Sequence, residues 1–378
     1  MKVVAAPNAF KESLTAVEAA DAIAVGVRRA MPDCEVVCLP VADGGDGTRA
    51  VLVAALQGQE ITCDAHDGLG RPVRAAYGRI DGARTAIIDV AAASGLALLA
   101  PSERDPLQAS SFGTGELLRH ALGSGVECVW LGVGGSATVD GGMGLLAALG
   151  AEWRDSSGRA LAPCGGNLAA IASVDLEPAV RLLGGREVVV LADVDNPLLG
   201  QRGAAEVFAP QKGATPEQVG LLSRGLRNFA AVAGRTSGRE IGDVPRGGAA
   251  GGIAAGLAAF VGARLVSGID WVLDRTGFDE AAAGARLVIT GEGRLDSQSA
   301  FNKGPSGVAR RARLLGVPTV VLAGAIADDF EDPARIFDAA LSIQRRPADL
   351  GSAMRLTADW LAATSHNIMR LVTLADRR

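Results

Sequence analysis

The sequence has few aromatic residues and no excess of positive charge. Phe, Trp and Tyr together make up 4% of the 378 residues, and the formal net charge is −5 at pH 7. A nucleic-acid-binding surface needs a basic stripe and aromatic side chains on which bases stack. The composition therefore argues against a nucleic-acid partner. Any anionic substrate must be bound by a few local cations.

Cysteine and histidine are also scarce. The five cysteines form no CxxC motif, and their odd number favours reduced thiols and a cytoplasmic location. The three histidines, His66, His120 and His366, occur in no metal-ligand spacing such as HExxH. A histidine-based catalytic triad is disfavoured. We expect carboxylates, lysine and arginine to carry the chemistry.

Long hydrophobic runs are lacking. The start, MKVVAAPNAFK, has too short an apolar run for a signal peptide. No charged residue intervenes between Arg246 and Arg264, and GGAAGGIAAG contains GxxxG spacings. Because this run is short for a membrane span and is built from weakly hydrophobic Gly and Ala, we expect a tightly packed soluble helix. No membrane partner is predicted.

Glycine, by contrast, is abundant, with 50 residues. The stretch LGVGGSATVDGGMG, residues 131–144, contains six of them together with Ser136 and Thr138. Consecutive glycines let backbone N–H groups converge on an anion, and the start of a helix after Met143 would add further amides. The stretch therefore predicts a phosphate-binding loop whose cations come from elsewhere in the chain, with four candidates: Lys11, Lys212, Arg294 and Lys303.

Other interpretations of this loop remain open. GVGGSA satisfies the dinucleotide-binding pattern G-x-G-x-x-A after a predicted strand, which would indicate an NAD(P)-dependent hydroxy-acid dehydrogenase. A single match of this kind is a weak signal, and no helix is expected directly after it. The GK[ST] of a Walker A loop is absent. A sensor that binds a small anionic ligand without turnover is a second alternative.

The two ends of the chain carry the pattern of a parallel α/β sheet. Strand and helix patterns alternate near the start, where Thr15 and Glu18 form a capping box, and three strands and a helical tail occupy the end. Two parallel strands alone do not make a stable sheet. We therefore predict one doubly wound, Rossmann- or flavodoxin-like domain from residues 1–62 and 284–378. Its expected strands are 2–6, 35–39, 285–290, 317–323 and 337–343.

The middle of the chain, residues 63–283, is predicted to be a second α/β domain inserted into the first. Strands at 60–65, 73–80 and 85–90 are separated by turn residues, which is typical of a meander. Further strands are expected at 127–131 and 186–191, and a long amphipathic helix at 215–233.

Three segments rich in Lys, Arg and Asp follow predicted strands: residues 8–13, 43–48 and 291–297. Ligands of open α/β sheets bind at the carboxyl ends of strands, so these three loops should share one edge. Each could also be an ordinary turn, since Asp and Gly are common turn formers.

An ordered set of motifs resembles the type-one bacterial glycerate kinases, which phosphorylate D-glycerate with ATP. The set runs over nearly the whole chain. Two positions depart from the pattern expected of the family: Asn8 stands where Asp is frequent, and Asn302 stands where glycine is expected. In order, the motifs are KESL, PVADGGDGT, DVAAASGL, SFGTGEL, GVGGSATVDGG, ADVDNPL, FAPQKGA, GGAAGG, SGID and TGEGRLDSQS.

The resemblance implies a two-domain kinase with its active site in the cleft between the domains. It implies ATP and D-glycerate as small-molecule substrates, 2-phosphoglycerate and ADP as products, transfer of the phosphoryl group in line, and Mg²⁺ as the metal. It allows a homo-oligomer.

Four residues are predicted to be catalytic. Asp193, just after a strand, is the metal candidate, because Mg²⁺ prefers carboxylate oxygens. Asp296 would orient or deprotonate the substrate hydroxyl, with Arg294 on the phosphoryl group, and Lys11 would neutralise charge. Predicted substrate or phosphate contacts are Asp43, Gly44, Gly45, Ser94, Thr114, Gly134, Gly135, Ser136, Gln211, Lys212, Glu292 and Lys303.

Overall fold

A computed structural model describes residues 1–296, 304–330 and 335–375. Its strands are β1 (Lys2–Ala5), β2 (Glu35–Cys38), β3 (Gln59–His66), β4 (Pro72–Ile80), β5 (Thr85–Asp89), β6 (Cys128–Gly132), β7 (Glu152–Arg154), β8 (Ser173–Asp175), β9 (Glu187–Ala192), β10 (Arg264–Ser267), β11 (Leu287–Leu295), β12 (Thr319–Ile326) and β13 (Ala339–Ser342).

The α-helices of the same residues are α1 (Ala16–Ala30), α2 (Thr48–Ala55), α3 (Ala91–Ser94), α4 (Phe112–Gly123), α5 (Met143–Ala148), α6 (Glu177–Leu183), α7 (Ala204–Phe208), α8 (Pro216–Ser237), α9 (Ile253–Phe260), α10 (Gly268–Thr276), α11 (Phe278–Ala282), α12 (Gly304–Leu314), α13 (Leu350–Arg355) and α14 (Thr357–Ala375).

The chain divides into two compact units. The terminal unit comprises Met1–Asp43 and Ile269–Arg378, and the central unit comprises Gly44–Gly268. The sequence-based division differs, with boundaries after residues 62 and 283. Both observed boundaries lie closer to the N-terminus than the predicted ones. The first does so because α2 contacts β4 and β5 of the central unit, and the second because α11 contacts β1 and α12 of the terminal unit.

The terminal unit contains a five-stranded parallel sheet in the order β13-β12-β11-β1-β2. If these five strands are renumbered 1 to 5 along the chain, their order in the sheet is 2-1-3-4-5, which is the flavodoxin-like order. The doubly wound fold predicted from the two chain ends is thereby confirmed. The strand order reverses between β1 and β11, and the carboxyl ends of these two strands are the position at which such sheets bind ligands.

Helices cover both faces of this sheet. On one face, Val3 and Ile289 share a buried cluster with side chains of α1 and α14. On the other face, Val4 and Val288 pack with side chains of α10, α11 and α12. Successive residues of a strand face opposite sides, so both sides of a sheet covered in this way are apolar.

The predicted capping box begins α1. The Thr15 hydroxyl accepts a hydrogen bond from the Glu18 amide at 3.2 Å, and the Glu18 carboxylate accepts one from the Thr15 amide at 2.8 Å. These two bonds satisfy donors that a helix start leaves without intrahelical partners.

The central unit contains a six-stranded mixed sheet in the order β10-β9-β6-β5-β4-β3. Strands β3, β4 and β5 form the predicted antiparallel meander, and β5, β6, β9 and β10 run parallel to one another. Its core includes three mutually packed aromatic side chains, Trp153, Phe229 and Phe260, with ring centroids 5.6–5.8 Å apart.

The uncharged run after Arg246 is a short buried helix, α9, rather than a long one. The turn before it places Ala250, Gly251 and Gly252 at positive φ, which interrupts the helix. No helix in the part of the chain that the structure describes has the length and apolar character of a membrane span.

Candidate functional site

The loops that follow β1 and β2 meet at the carboxyl edge of the terminal sheet. The Asn8 amide donates a hydrogen bond to the Gly291 carbonyl of β11 at 2.8 Å. The Asn8 side-chain amide donates to an Asp43 carboxylate oxygen at 3.2 Å. The same oxygen accepts a bond from the amide of Gly304, the first residue of α12, at 3.3 Å. Asp43 therefore joins the loops after β1 and β2 to the start of a helix, where negative charge is favourable.

The third predicted loop is largely strand, which corrects the interpretation of residues 291–297. β11 continues through Leu295 because β12 extends beside it and pairs Glu292 with Ala323 and Arg294 with Ala325. Alternation along a strand puts Glu292 and Arg294 on one face, with Arg294 exposed and Leu295 buried. Asp296 follows the strand directly and is half-buried.

Lys11 belongs to the same edge. A Cβ placed on Gly293 would lie 3.5 Å from the Lys11 amide nitrogen, so the loop after β1 runs beside the end of β11. Lys11 is exposed. The structure thus brings the segment carrying Lys11 next to the segment carrying Glu292, Arg294 and Asp296. The other predicted cation, Lys303, and Ser297 lie outside the described residues.

In the central unit, the glycine loop after β6 packs against the residues that follow Asp43. The Gly134 amide donates to the Gly44 carbonyl at 2.9 Å, and a Cβ on Gly134 would lie 2.4 Å from the Gly45 Cα atom. Gly44 and Gly135 have positive φ, at 91° and 71°. Glycine is required here because two backbone segments are in direct contact.

The helix that follows the loop binds a carboxylate of the chain itself. Asp140 is fully buried and accepts hydrogen bonds from the Ser111 amide and hydroxyl and from the amides of Gly142 and Gly144, at 2.7–3.1 Å. Burial raises the pKa of Asp140, and these hydrogen bonds oppose the rise. The expectation that the start of α5 offers amides to a ligand is wrong, because Asp140 occupies them.

Lys212 joins the loop to the turn before α8. Its ammonium group donates to the Ser136 hydroxyl at 2.8 Å and to the Thr138 carbonyl at 2.7 Å. The residue is only 3% exposed, and burial lowers its pKa to about 7, against the attraction of Asp140. A predicted cation and a predicted loop hydroxyl are thus in contact, while the neighbouring Gln211 is exposed.

Ser94 and Thr114, predicted as ligand contacts, are both fully buried. The Thr114 hydroxyl donates to the Ser94 hydroxyl at 2.8 Å, and the Thr114 amide donates to it at 3.3 Å. In the structure these side chains connect α3 to α4.

Asp89 is a buried acid to which the sequence analysis assigned no role. It ends β5, is 3% exposed, and accepts hydrogen bonds from the amides of Gly47 and Arg49 at 3.1–3.2 Å. Burial raises its pKa to about 7. Its position at the carboxyl end of a predicted strand, in the motif DVAAASGL, was the available signal.

Asp193 follows β9 and is half-buried. The next acid, Asp195, forms an ion pair with Arg246 at 3.1 Å. Within the described ranges there is no group of three or more His, Cys, Asp or Glu side chains arranged to hold a metal ion. A single carboxylate such as that of Asp193 fits a hard cation that uses one or two protein carboxylates and retains waters, as Mg²⁺ does.

Comparisons with known proteins identify relatives over nearly the whole chain. A model of the glycerate kinase family matches residues 3–373. A glycerate kinase of Haemophilus influenzae is 43% identical over 98% of this chain and 99% of its own length, and glycerate 2-kinase of Escherichia coli is 41% identical over 100% and 99%.

A crystal structure from Salmonella typhimurium LT2, described as a glycerate kinase 2, superposes with a TM-score of 0.87 at 42% identity and covers both chains completely. The dehydrogenase and sensor alternatives find no support in these relatives. Family membership implies glycerate and ATP as substrates. The chain belongs to the glycerate kinase family and is an enzyme that phosphorylates glycerate.

Proposed function

We propose that this enzyme transfers the γ-phosphoryl group of ATP to the 2-hydroxyl group of D-glycerate, with Mg²⁺ and in the cytoplasm. The name glycerate 2-kinase, carried by the Escherichia coli relative, supports this position of transfer. The observation on which the proposal mainly depends lies in the terminal unit. There, Lys11, Glu292, Arg294 and Asp296 come from neighbouring segments at the strand-order reversal.

Phosphoryl transfer needs positioning and neutralisation of charge more than covalent chemistry from the protein. We assign Lys11 and Arg294 to the oxygens of the transferred group, because both are exposed cations at the ligand-binding edge. Asp296 accepts the proton of the attacking hydroxyl. The hydroxyl oxygen forms a bond to the γ-phosphorus while the bond from that phosphorus to the bridging oxygen breaks, and ADP leaves.

The central unit supplies residues for the phosphates and the metal. We assign the Gly135 backbone and the Ser136 hydroxyl to contacts with oxyanions. Because the Gly134 amide already donates to the Gly44 carbonyl, Gly134, Gly44 and Gly45 shape this loop, and Lys212 holds it in place. Asp193 would hold Mg²⁺, which when bound neutralises phosphate charge. Asp43 and Glu292 are assigned to glycerate, and Gln211 to the nucleotide. Because they are buried, Ser94 and Thr114 support these contacts from behind.

An assay of ADP release tests the function directly. D-glycerate, L-glycerate and water are compared as acceptors, and the phosphorylated product is examined by NMR. We expect release that depends on D-glycerate and on Mg²⁺, with the phosphorus coupled to the proton on C2. Coupling to the C3 protons, or equal rates with the L-isomer, would contradict the proposal.

Substitution of Asp296 tests its assigned role. If Asp296 accepts the hydroxyl proton, Asp296→Asn lowers kcat about a hundredfold or more without changing the thermal midpoint. Arg294→Ala should likewise reduce kcat, because it removes charge from the phosphoryl oxygens. Asp21→Asn, an exposed position on α1, is the matched control. A near-normal kcat for Asp296→Asn would remove Asp296 from the catalytic residues.

A further inference from the structure

Arg104 is an arginine without a hydrogen-bond partner among the residues that the structure describes. It lies in the turn between the short helix at 101–103 and Asp105, is half-buried, and its Nε atom is buried with no hydrogen-bond partner. Its guanidinium group forms no hydrogen bond or ion pair with any residue that the structure describes. A buried polar atom without a hydrogen bond is costly.

Other arginines with a buried Nε atom use the rest of their guanidinium group. Arg49 pairs with Glu60, Arg246 pairs with Asp195, and Arg79 donates to the carbonyls of Ala83 and Ser124. Arg104 differs from all three, so the lack of partners for its guanidinium group does not follow from burial of the Nε atom alone.

The acids that flank Arg104 in sequence are engaged elsewhere. Glu103 accepts from Arg71 at 2.7 Å and from the Ala100 amide at 2.9 Å. Asp105 accepts from the Leu107 amide at 3.0 Å. Neither of these two carboxylates accepts a hydrogen bond from Arg104.

The position of Arg104 links it to the glycine loop. The Arg104 backbone contacts the turn after Lys212, because a Cβ on Gly213 would lie 2.4 Å from the Arg104 carbonyl oxygen and 2.9 Å from its Cβ. Lys212 in turn binds Ser136. The segment before Arg104 also pairs with the loop, since the Leu96 amide donates to the Gly135 carbonyl at 2.8 Å.

We propose that Arg104 binds an oxyanion of a substrate beside the glycine loop: the carboxylate of glycerate or a phosphate of the nucleotide. A guanidinium group presents a planar fork of donors that matches either group. This inference rests on the proposed role of the glycine loop in substrate binding. It adds a binding residue that no motif in the sequence indicated.

The test compares Arg104→Met with Arg79→Met in the full-length protein. Arg104→Met removes a buried Nε–H group that has no partner, so it should leave the thermal midpoint of the ligand-free protein unchanged or raise it. Arg79→Met removes two hydrogen bonds and should lower the midpoint. The KM values for D-glycerate and for ATP are then measured separately, each at saturating levels of the other substrate.

For Arg104→Met we expect a rise of about tenfold or more in one of the two KM values. A rise confined to D-glycerate identifies the carboxylate as the ligand, and a rise confined to ATP identifies a phosphate. For Arg79→Met both KM values should stay within about twofold of the wild type. Arg104→Lys, which keeps the charge but loses the fork, serves as the second variant and should show a smaller rise.

The inference is overturned if both KM values of Arg104→Met stay within about twofold of the wild type. This holds whether or not the variant also loses thermal stability as Arg79→Met does. Failure of the proposed function is distinguishable, because it would appear in the wild-type enzyme as a lack of D-glycerate-dependent ADP release.

Discussion

At the level of single residues, the central unit is distinguished by ionisable groups that are almost completely buried. Lys212 and Asp89 are each 3% exposed, and burial brings both pKa values to about 7 from opposite directions. Desolvation disfavours the charged form of either group, which is why the lysine pKa falls and the carboxyl pKa rises. Small changes of pH near neutrality therefore change the charge around the glycine loop and the start of α2.

The lowered pKa of Lys212 predicts how stability depends on pH. An unfolded chain would hold the lysine proton up to about pH 10, whereas the folded protein releases it near pH 7. Between these values the unfolded state binds more protons, so this group makes the free energy of unfolding rise with pH. In Lys212→Met that contribution is absent.

The free energy of unfolding of the wild type minus that of Lys212→Met should therefore increase by about 2 kcal/mol between about pH 7 and pH 9. Chemical denaturation at several pH values measures it. Lys2→Met, which removes a half-buried lysine bonded to the Ala283 carbonyl, is the control variant. A difference that is constant with pH would contradict the assignment.

At the level of elements, several glycines are required by contacts between backbones rather than by turns. In α4, a Cβ on Gly115 would lie 2.4 Å from the Leu145 carbonyl oxygen of α5, whereas a Cβ on Gly123 would meet nothing within 4 Å. The two glycines belong to the same helix, and neither has a positive φ. Only the neighbouring helix distinguishes them.

Alanine substitutions in α4 test this distinction. Gly115→Ala should lower the free energy of unfolding by about 1–3 kcal/mol, because the close approach of α4 and α5 must open. Gly123→Ala should be neutral or stabilising by up to about 1 kcal/mol, since alanine has the higher helix propensity. Thermal or chemical unfolding gives both values, and similar effects of the two substitutions would argue against the close packing.

At the level of the whole molecule, the two sheets differ in the sequence separation of their strand pairs. In the terminal unit Val3 pairs with Leu287, across most of the chain, while in the central unit Thr85 pairs with Cys128. Closing a longer loop costs more conformational entropy, and non-local pairing slows folding. The central sheet has the shorter loops to close.

Refolding should therefore protect the central sheet first. In pulse-labelling hydrogen exchange with mass spectrometry, peptides from β5, β6 and β9 should become protected before peptides from β1 and β11. The comparison is internal, because both sets of peptides come from the same refolding reaction. Simultaneous protection, or earlier protection of β1, would contradict this order.

The sequence alone was sufficient for all the strands of the terminal sheet, the capping box of α1, the meander and the doubly wound fold. It missed the short strands β7, β8 and β10 of the central unit. The features that were predicted depend on side-chain periodicity and on hydrogen bonds between residues about three apart, so the local sequence is enough to predict them. Ordered motifs spread over the chain also indicated the family. The extension of β11 was missed, since it depends on β12 running beside it.

Only the tertiary structure decided which polar groups are already used. Asp140 accepts hydrogen bonds from the amides at the start of α5, and Lys212 is buried against Ser136. Arg104 has no hydrogen-bond partner within the described ranges, although its neighbours in sequence are ordinary. The contacts of Asp140 with Ser111 and of Lys212 with Ser136 join residues 29 and 76 positions apart. Periodicity carries no information at that range, because the geometry of such contacts is set by how the elements pack.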